Sequence, residues 1–151
     1  MSAIDRDRGM ARLEAALRDL ANPPRVTVGV HEDTGAQEHR GPTRATVATV
    51  AGVTEFGSSP TAGPKSFLRS TIDHKRPELE KALSQAAQRA LKSAMYGSSD
   101  TGHVERALGR VAARAQRLVR ATVRRIGLRD TGHLEESIEG RVGGRIVAEA
   151  G

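Results

Sequence analysis

The triplet Asp-Thr-Gly occurs three times in this 151-residue chain, at Asp33-Thr34-Gly35, Asp100-Thr101-Gly102 and Asp130-Thr131-Gly132. The chemistry such a triplet can do is peptide hydrolysis by paired aspartates. That requires two of them within hydrogen-bond reach, sharing one proton because both cannot ionise together. It also requires an apolar strand before the triplet and a largely β surrounding. Here the copies follow His31-Glu32, Ser98-Ser99 and Leu128-Arg129, and two lead straight into helical patterns. A plainer role fits those flanks. Asp and Thr oxygens accept the orphan N–H groups of a helix start, and Gly tolerates the turn before it. Glu105 and Glu135 then fall near a first turn, where the helix dipole favours negative charge. The triplets at 100 and 130 are therefore predicted helix starts, and the one at 33 a loop turn.

Other chemistries find less support. HEDTGAQEH gathers His31, Glu32, Asp33, Glu38 and His39, but neither the spacing of compact zinc loops nor HExxH is present, so it reads as a solvated polar loop. There is no GxxxxGK[ST] or GxGxxG to cradle a phosphate, and no serine in a nucleophile-elbow context. The absence of cysteine removes disulfides, thiolate metal sites and cysteine nucleophiles. No catalytic, cofactor or metal site is predicted.

The elements that carry these residues follow from hydrophobic periodicity. Residues 3 to 21 make an amphipathic helix with Met10, Leu13, Leu17 and Leu20 on one side, stopped by Asn22-Pro23-Pro24. RVTVGVH, with Val26, Val28 and Val30 alternating, is a strand over about 25–31. Residues 32–44 and 57–66 are polar, Gly/Pro-containing loops expected to be flexible. RATVATVAGVTEF between them fits a strand by its β-branched residues and a helix by its spacing. A helical pattern starts at Phe67, and Pro77 suits the first turn of a continuation to about Met95. Val104, Leu108, Val111, Ala115, Leu118, Thr122 and Ile126 mark a long helix at heptad-like spacing. SIEGRV and RIVAEA flank Gly143-Gly144, a hairpin over about 137–150 that should join the first strand in one sheet. The sum is a single α+β domain over 1–151, three or four helices on a small, mostly antiparallel sheet.

Composition bounds the partners. With 37% hydrophobic residues and three aromatics, Phe56, Phe67 and Tyr96, the chain can build only a small aliphatic core and would gain by burying more surface against copies or partners. Net charge is +6, carried by twenty Arg and four Lys. Eight of those arginines fall between Val104 and Arg129 against one acid, Glu105; Arg106, Arg110, Arg114, Arg117 and Arg124 share one helix face. Such a face suits acidic protein or a phosphate backbone, or is simply solvated, and no aromatic lies there to stack bases. The first residues carry charges every few positions and no run spans a bilayer, so synthesis and first action in a cytoplasm are expected.

Three separated stretches together resemble a family: VATVAGVTEFGSS, PKSFLRSTID and LRDTGHLEESIEGRV. Their order and spacing are similar to the tail-completion or head–tail connector proteins of tailed bacteriophages, the group of minor tail protein Z-like and virion-morphogenesis proteins. The matching positions are Glu55, Phe56 and Gly57, then Phe67, Leu68 and Arg69, and finally Asp130, Thr131, Gly132, Leu134, Ser137 and Ile138. Lys65-Ser66 stands where the family often has Arg-Pro. The resemblance implies a helix over 45–56 and a non-enzymatic virion part, a ring of about six copies, with about twelve as the next choice. It implies contacts with other neck, portal-side or tail-tube proteins, and with passing genome DNA without sequence specificity. The matched residues would then be packing and interface elements. The Arg face would meet acidic neighbours or line a channel. A small DNA-binding protein using helix 104–129 is the alternative.

Overall fold

A computed structural model describes residues 3–41, 44–57, 65–96, 102–128 and 132–147. Two observations organise it: one helix is buried on two sides, and the sheet lies against one of them. That helix is α5 (His103–Arg125), which packs along α4 (Leu68–Tyr96) and also carries the sheet of β1 (Val26–Val30), β2 (Ile138–Val142) and β3 (Arg145–Ile146). α1 (Ala3–Ala21) leans on α4; α3 (Val47–Phe56) and the single turns α2 (Glu32–Gly35) and α6 (His133–Glu136) complete the order. The fold is α+β, with four long helices, two short ones and a three-stranded antiparallel sheet in the order β1-β2-β3 among the described residues.

The sheet follows from its turn and its alternation. Val26 pairs with Val142 and Val30 with Ile138, so the apolar residues of β1 and β2 share one face. Gly143 and Gly144 both take positive φ, 57° and 82°, the requirement of a tight type I′ hairpin. β3 is shorter than the hairpin arm expected over 145–150, and residues 148–151 lie outside those described.

α5 corrects the heptad reading. Of the expected residues, Val104, Leu108, Val111, Ala115 and Thr122 are buried and Leu118 and Ile126 half-buried, but Ala107, Ala112, Gln116, Val119 and Val123 are buried as well. A single seam would face one partner; α5 faces α4 and the sheet, so its buried surface is wider than one seam. It therefore joins two clusters. One holds Ala86, Ala90, Val104, Leu108, Val111 and Val142; the other holds Val47, Phe67, Val119, Val123, Leu134 and Ile138. In the α4–α5 contact Ala86 and Ala90 meet Val104, Leu108 and Val111, and further along the Thr71 hydroxyl donates to Thr122 Oγ1 at 2.7 Å. Ser93 and His103 join the same two helices by a 2.9 Å hydrogen bond further along.

Other boundaries differ from expectation for local reasons. RATVATVAGVTEF resolves to helix: the Thr46 side chain caps α3 by accepting from Thr49 N–H, and the buried face outweighs β-branched propensity. α4 does not restart at Pro77 but runs through it. Pro77 removes the helical donor for the Asp73 carbonyl, and both residues are exposed, where water can take its place. α1 turns a slightly different side inward, with Ala16 buried while Met10 and Leu17 are exposed. The stretch 32–44, read as loop throughout, holds the helical turn α2 and an antiparallel bridge between Glu38 and Thr46.

Gly52 sits inside α3 with nothing within 4 Å of where a Cβ would stand and no positive φ. Gly52→Ala is expected to stabilise the protein by about 0.5–1 kcal/mol, through helix propensity alone. A urea midpoint that moves down instead would show that the open space is needed for something else.

Candidate functional site

The described residues matched by the resemblance come together where α3, the start of α4 and α6 meet. At the centre is Glu55, at the end of α3, only 5% exposed. One carboxylate oxygen accepts from Phe67 N–H at 2.8 Å and Leu68 N–H at 2.9 Å. The other accepts from Arg69 N–H at 3.0 Å and from the Ser66 hydroxyl at 2.8 Å. Ser66 Oγ in turn accepts from Ser70 N–H at 3.2 Å. A helix start leaves its first four N–H groups without intrahelical partners. In α4 all four, from Phe67 to Ser70, are taken, three of them by a carboxylate borrowed from another helix. Negative charge at that end also complements the helix dipole. Burial raises the Glu55 carboxyl, but the N–H groups of Leu68 and Arg69, the Ser66 hydroxyl and the Phe67 N–H outweigh it and hold the group below its ordinary value.

The flanking motif residues divide between core and surface. Phe67 is 2% exposed and shares its cluster with Leu134 and Ile138, so the second and third stretches meet directly in the core. Leu68 packs on the edge of that cluster. Gly57 closes α3 with φ 85°, and its N–H bonds the Val53 carbonyl. Phe56 points outward, 69% exposed, with the Arg69 guanidinium 5.6 Å over its ring. Ser137 is buried, and its hydroxyl donates to the His133 carbonyl at 2.7 Å.

The triplets are settled in part. Asp100, Thr101, Asp130 and Thr131 lie outside the described residues. The N-cap position itself belongs to glycine in both places: Gly102 before α5 and Gly132 before α6, each left-handed and without a side-chain cap. Left-handed backbone at a helix entry suits glycine rather than Asp or Thr. The triplet at 33 is a helical turn and not a loop turn. The Arg141 guanidinium donates to both Asp33 oxygens at 2.6 Å and to Glu139 at 2.7 Å. Thr34 Oγ bonds the His31 carbonyl, and Gly35 is buried against Ala48 and Val30. Among the described residues no three His, Asp or Glu are grouped to hold a metal ion.

A contact absent from the sequence reading lies beside α6. His133 is 5% exposed, and its Nδ1 accepts from the Arg40 N–H at 3.2 Å. The His39 ring stacks on it, centroids 5.6 Å apart and planes 12° from parallel. No local pattern could reveal a pair 93 positions apart.

The basic face of α5 is broken up. Arg106, Arg110, Arg114, Arg117 and Arg124 are all exposed. Arg114 binds Glu78 at 2.7 Å, Arg124 pairs with Glu135, and Arg106 bonds the His103 ring at 3.2 Å. Arg110 and Arg117 make no ion pair among the described residues. No helix among the described residues is long and apolar enough to cross a membrane. Comparison with protein-family models, curated proteins and solved structures finds no match to this chain.

Proposed function

We propose that this chain is a structural subunit of the neck of a tailed bacteriophage, a tail-completion or head–tail connector protein without catalytic activity. It works as a ring, six copies favoured and twelve next, joining tail to head beside portal-side and tail-tube proteins. It is assembled in the host cytoplasm and carried in the virion. The observation that supports this reading is the convergence of the three matched stretches. Residues as far apart as Glu55 and Ile138 carry one junction, in which Glu55 of α3 caps α4 and Val47, Phe67, Leu134 and Ile138 share one core cluster. A motif spread over the chain that specifies a junction is what a shared scaffold leaves in sequence. Ring contacts need two different faces on each subunit. Exposed apolar side chains on separate elements supply candidates: Val53 and Phe56 on α3, Tyr96 at the end of α4, Ile146 on β3.

The deciding measurement is the native mass of the purified chain, alone and mixed with portal-side and tail-tube proteins of the same phage. A closed oligomer or a defined complex is expected. A monomer that joins neither partner overturns the proposal. A second reading, duplex binding through the Arg face, draws on exposed Arg110 and Arg117. It predicts a gel shift at low salt that weakens steeply as salt rises.

A further inference from the structure

We infer that the His133 imidazole is an acid-opened latch holding the 37–41 turn against α6. The closed state depends on a lone pair: Nδ1 accepts the Arg40 N–H, so the proton of the neutral ring must sit on Nε2. His39 closes over the ring by stacking, and the Arg40 guanidinium reaches Glu136 at 3.3 Å. That last pair is exposed on both sides and adds little. The turn moves as a unit, because His39 N–H bonds the Ala45 carbonyl, Gly41 N–H bonds the His39 carbonyl, and Glu38 bridges to Thr46.

Protonation of His133 places an N–H where the accepting lone pair was. Two donors then face each other, and a cation is buried at a site that excludes water. The surrounding charges do little to relieve it. The turn presents Arg40 and His39. From α6 comes Glu136, which among the described residues is the facing group that favours the cation. α5 presents Arg120, which donates to the Glu136 and Ile138 carbonyls, and Arg124, paired with Glu135. α3 has Glu55 as its one titratable residue, already engaged by α4, and β2 brings Glu139 and Arg141, which pair with each other and, through Arg141, with Asp33. Burial first, then Arg40 and His39, lowers the imidazole from its ordinary value of 6.5, against Glu136. A base depressed in the folded state contributes its full stability above 6.5 and loses it as pH falls from there through the lowered value.

Amide hydrogen exchange on the full chain, followed by NMR between about pH 7.5 and about pH 5, tests this. After correction for intrinsic exchange, protection of the Arg40 amide should fall by about fivefold or more, the equilibrium factor of one ordinary hydrogen bond. Its midpoint should coincide with titration of the His133 ring in the same sample. His133→Asn, which keeps an acceptor near the Nδ1 position but does not titrate, should hold Arg40 protection level across the range. His39→Phe, which keeps the stack, should retain the fall. Arg40 protection that ignores pH in the native chain, or a fall whose midpoint departs from the His133 titration, overturns the latch.

Discussion

Glu55→Ala is expected to cost about 3–5 kcal/mol, enough to leave much of the chain unfolded at ordinary temperature. Four donors lose their acceptor at once, and three are backbone N–H groups that cannot turn elsewhere. Those N–H groups sit at or near the core: Phe67 is 2% exposed, so water is slow to replace the carboxylate. Glu55→Gln keeps the shape and one acceptor oxygen but turns the other position into a donor facing donors. It should fall between the native protein and Glu55→Ala. Urea unfolding followed by circular dichroism ranks the three.

The same carboxylate sets an acid limit. Its value is held below the ordinary 4.5 in the folded chain, so its stabilisation is complete above 4.5 and is lost as pH falls through the lowered value. Native protein should therefore lose stability steeply on that limb, and Glu55→Gln should lose less. Parallel acid limbs for the two proteins would show that Glu55 is not the group responsible.

The second large effect is expected at Gly140. A Cβ there would stand 2.6 Å from the Ala112 carbonyl oxygen, 2.8 Å from its carbon and 3.2 Å from its Cβ. These are mostly backbone atoms in the middle of α5, so relief requires the helix to move off the sheet. Gly140 N–H also donates to Gln116 Oε1 at 2.7 Å, a bond that the same movement breaks. Gly140→Ala should destabilise by about 3 kcal/mol or more. Ala112→Gly should not rescue it, because the carbonyl remains; recovery in the double variant would mean that side chains, not backbone, set the contact. Gly52→Ala is the matched control, the same change in open space.

How much of this was legible depends on the range of each interaction. α1, β1, the hairpin and α5 follow from periodicity and turn chemistry, which act between near neighbours. α3 remained open because Val47, Val50 and Val53 suit either state, and burial on α6 and β1 decides. Glu55 was singled out through the resemblance, but its task was not, since a glutamate ending one helix carries no local sign that it caps another. Gly140 looks like any strand glycine until Ala112 is found behind it. The arginine stripe was legible as a stripe, whereas its partial neutralisation by Glu78 and Glu135 lies in tertiary contacts that spacing does not encode.

The Thr71–Thr122 hydrogen bond has a consequence beyond its own strength. Around it α4 contributes mainly alanines, Ala86, Ala90 and Ala94, whose methyl groups look alike after a one-turn slide. Sliding α4 on α5 by one turn would break this bond and leave each hydroxyl only a carbonyl of its own chain segment, Phe67 for Thr71 and Leu118 for Thr122. The pair thus acts as a detent that favours one register of α4 on α5, the register in which the start of α4 meets Glu55.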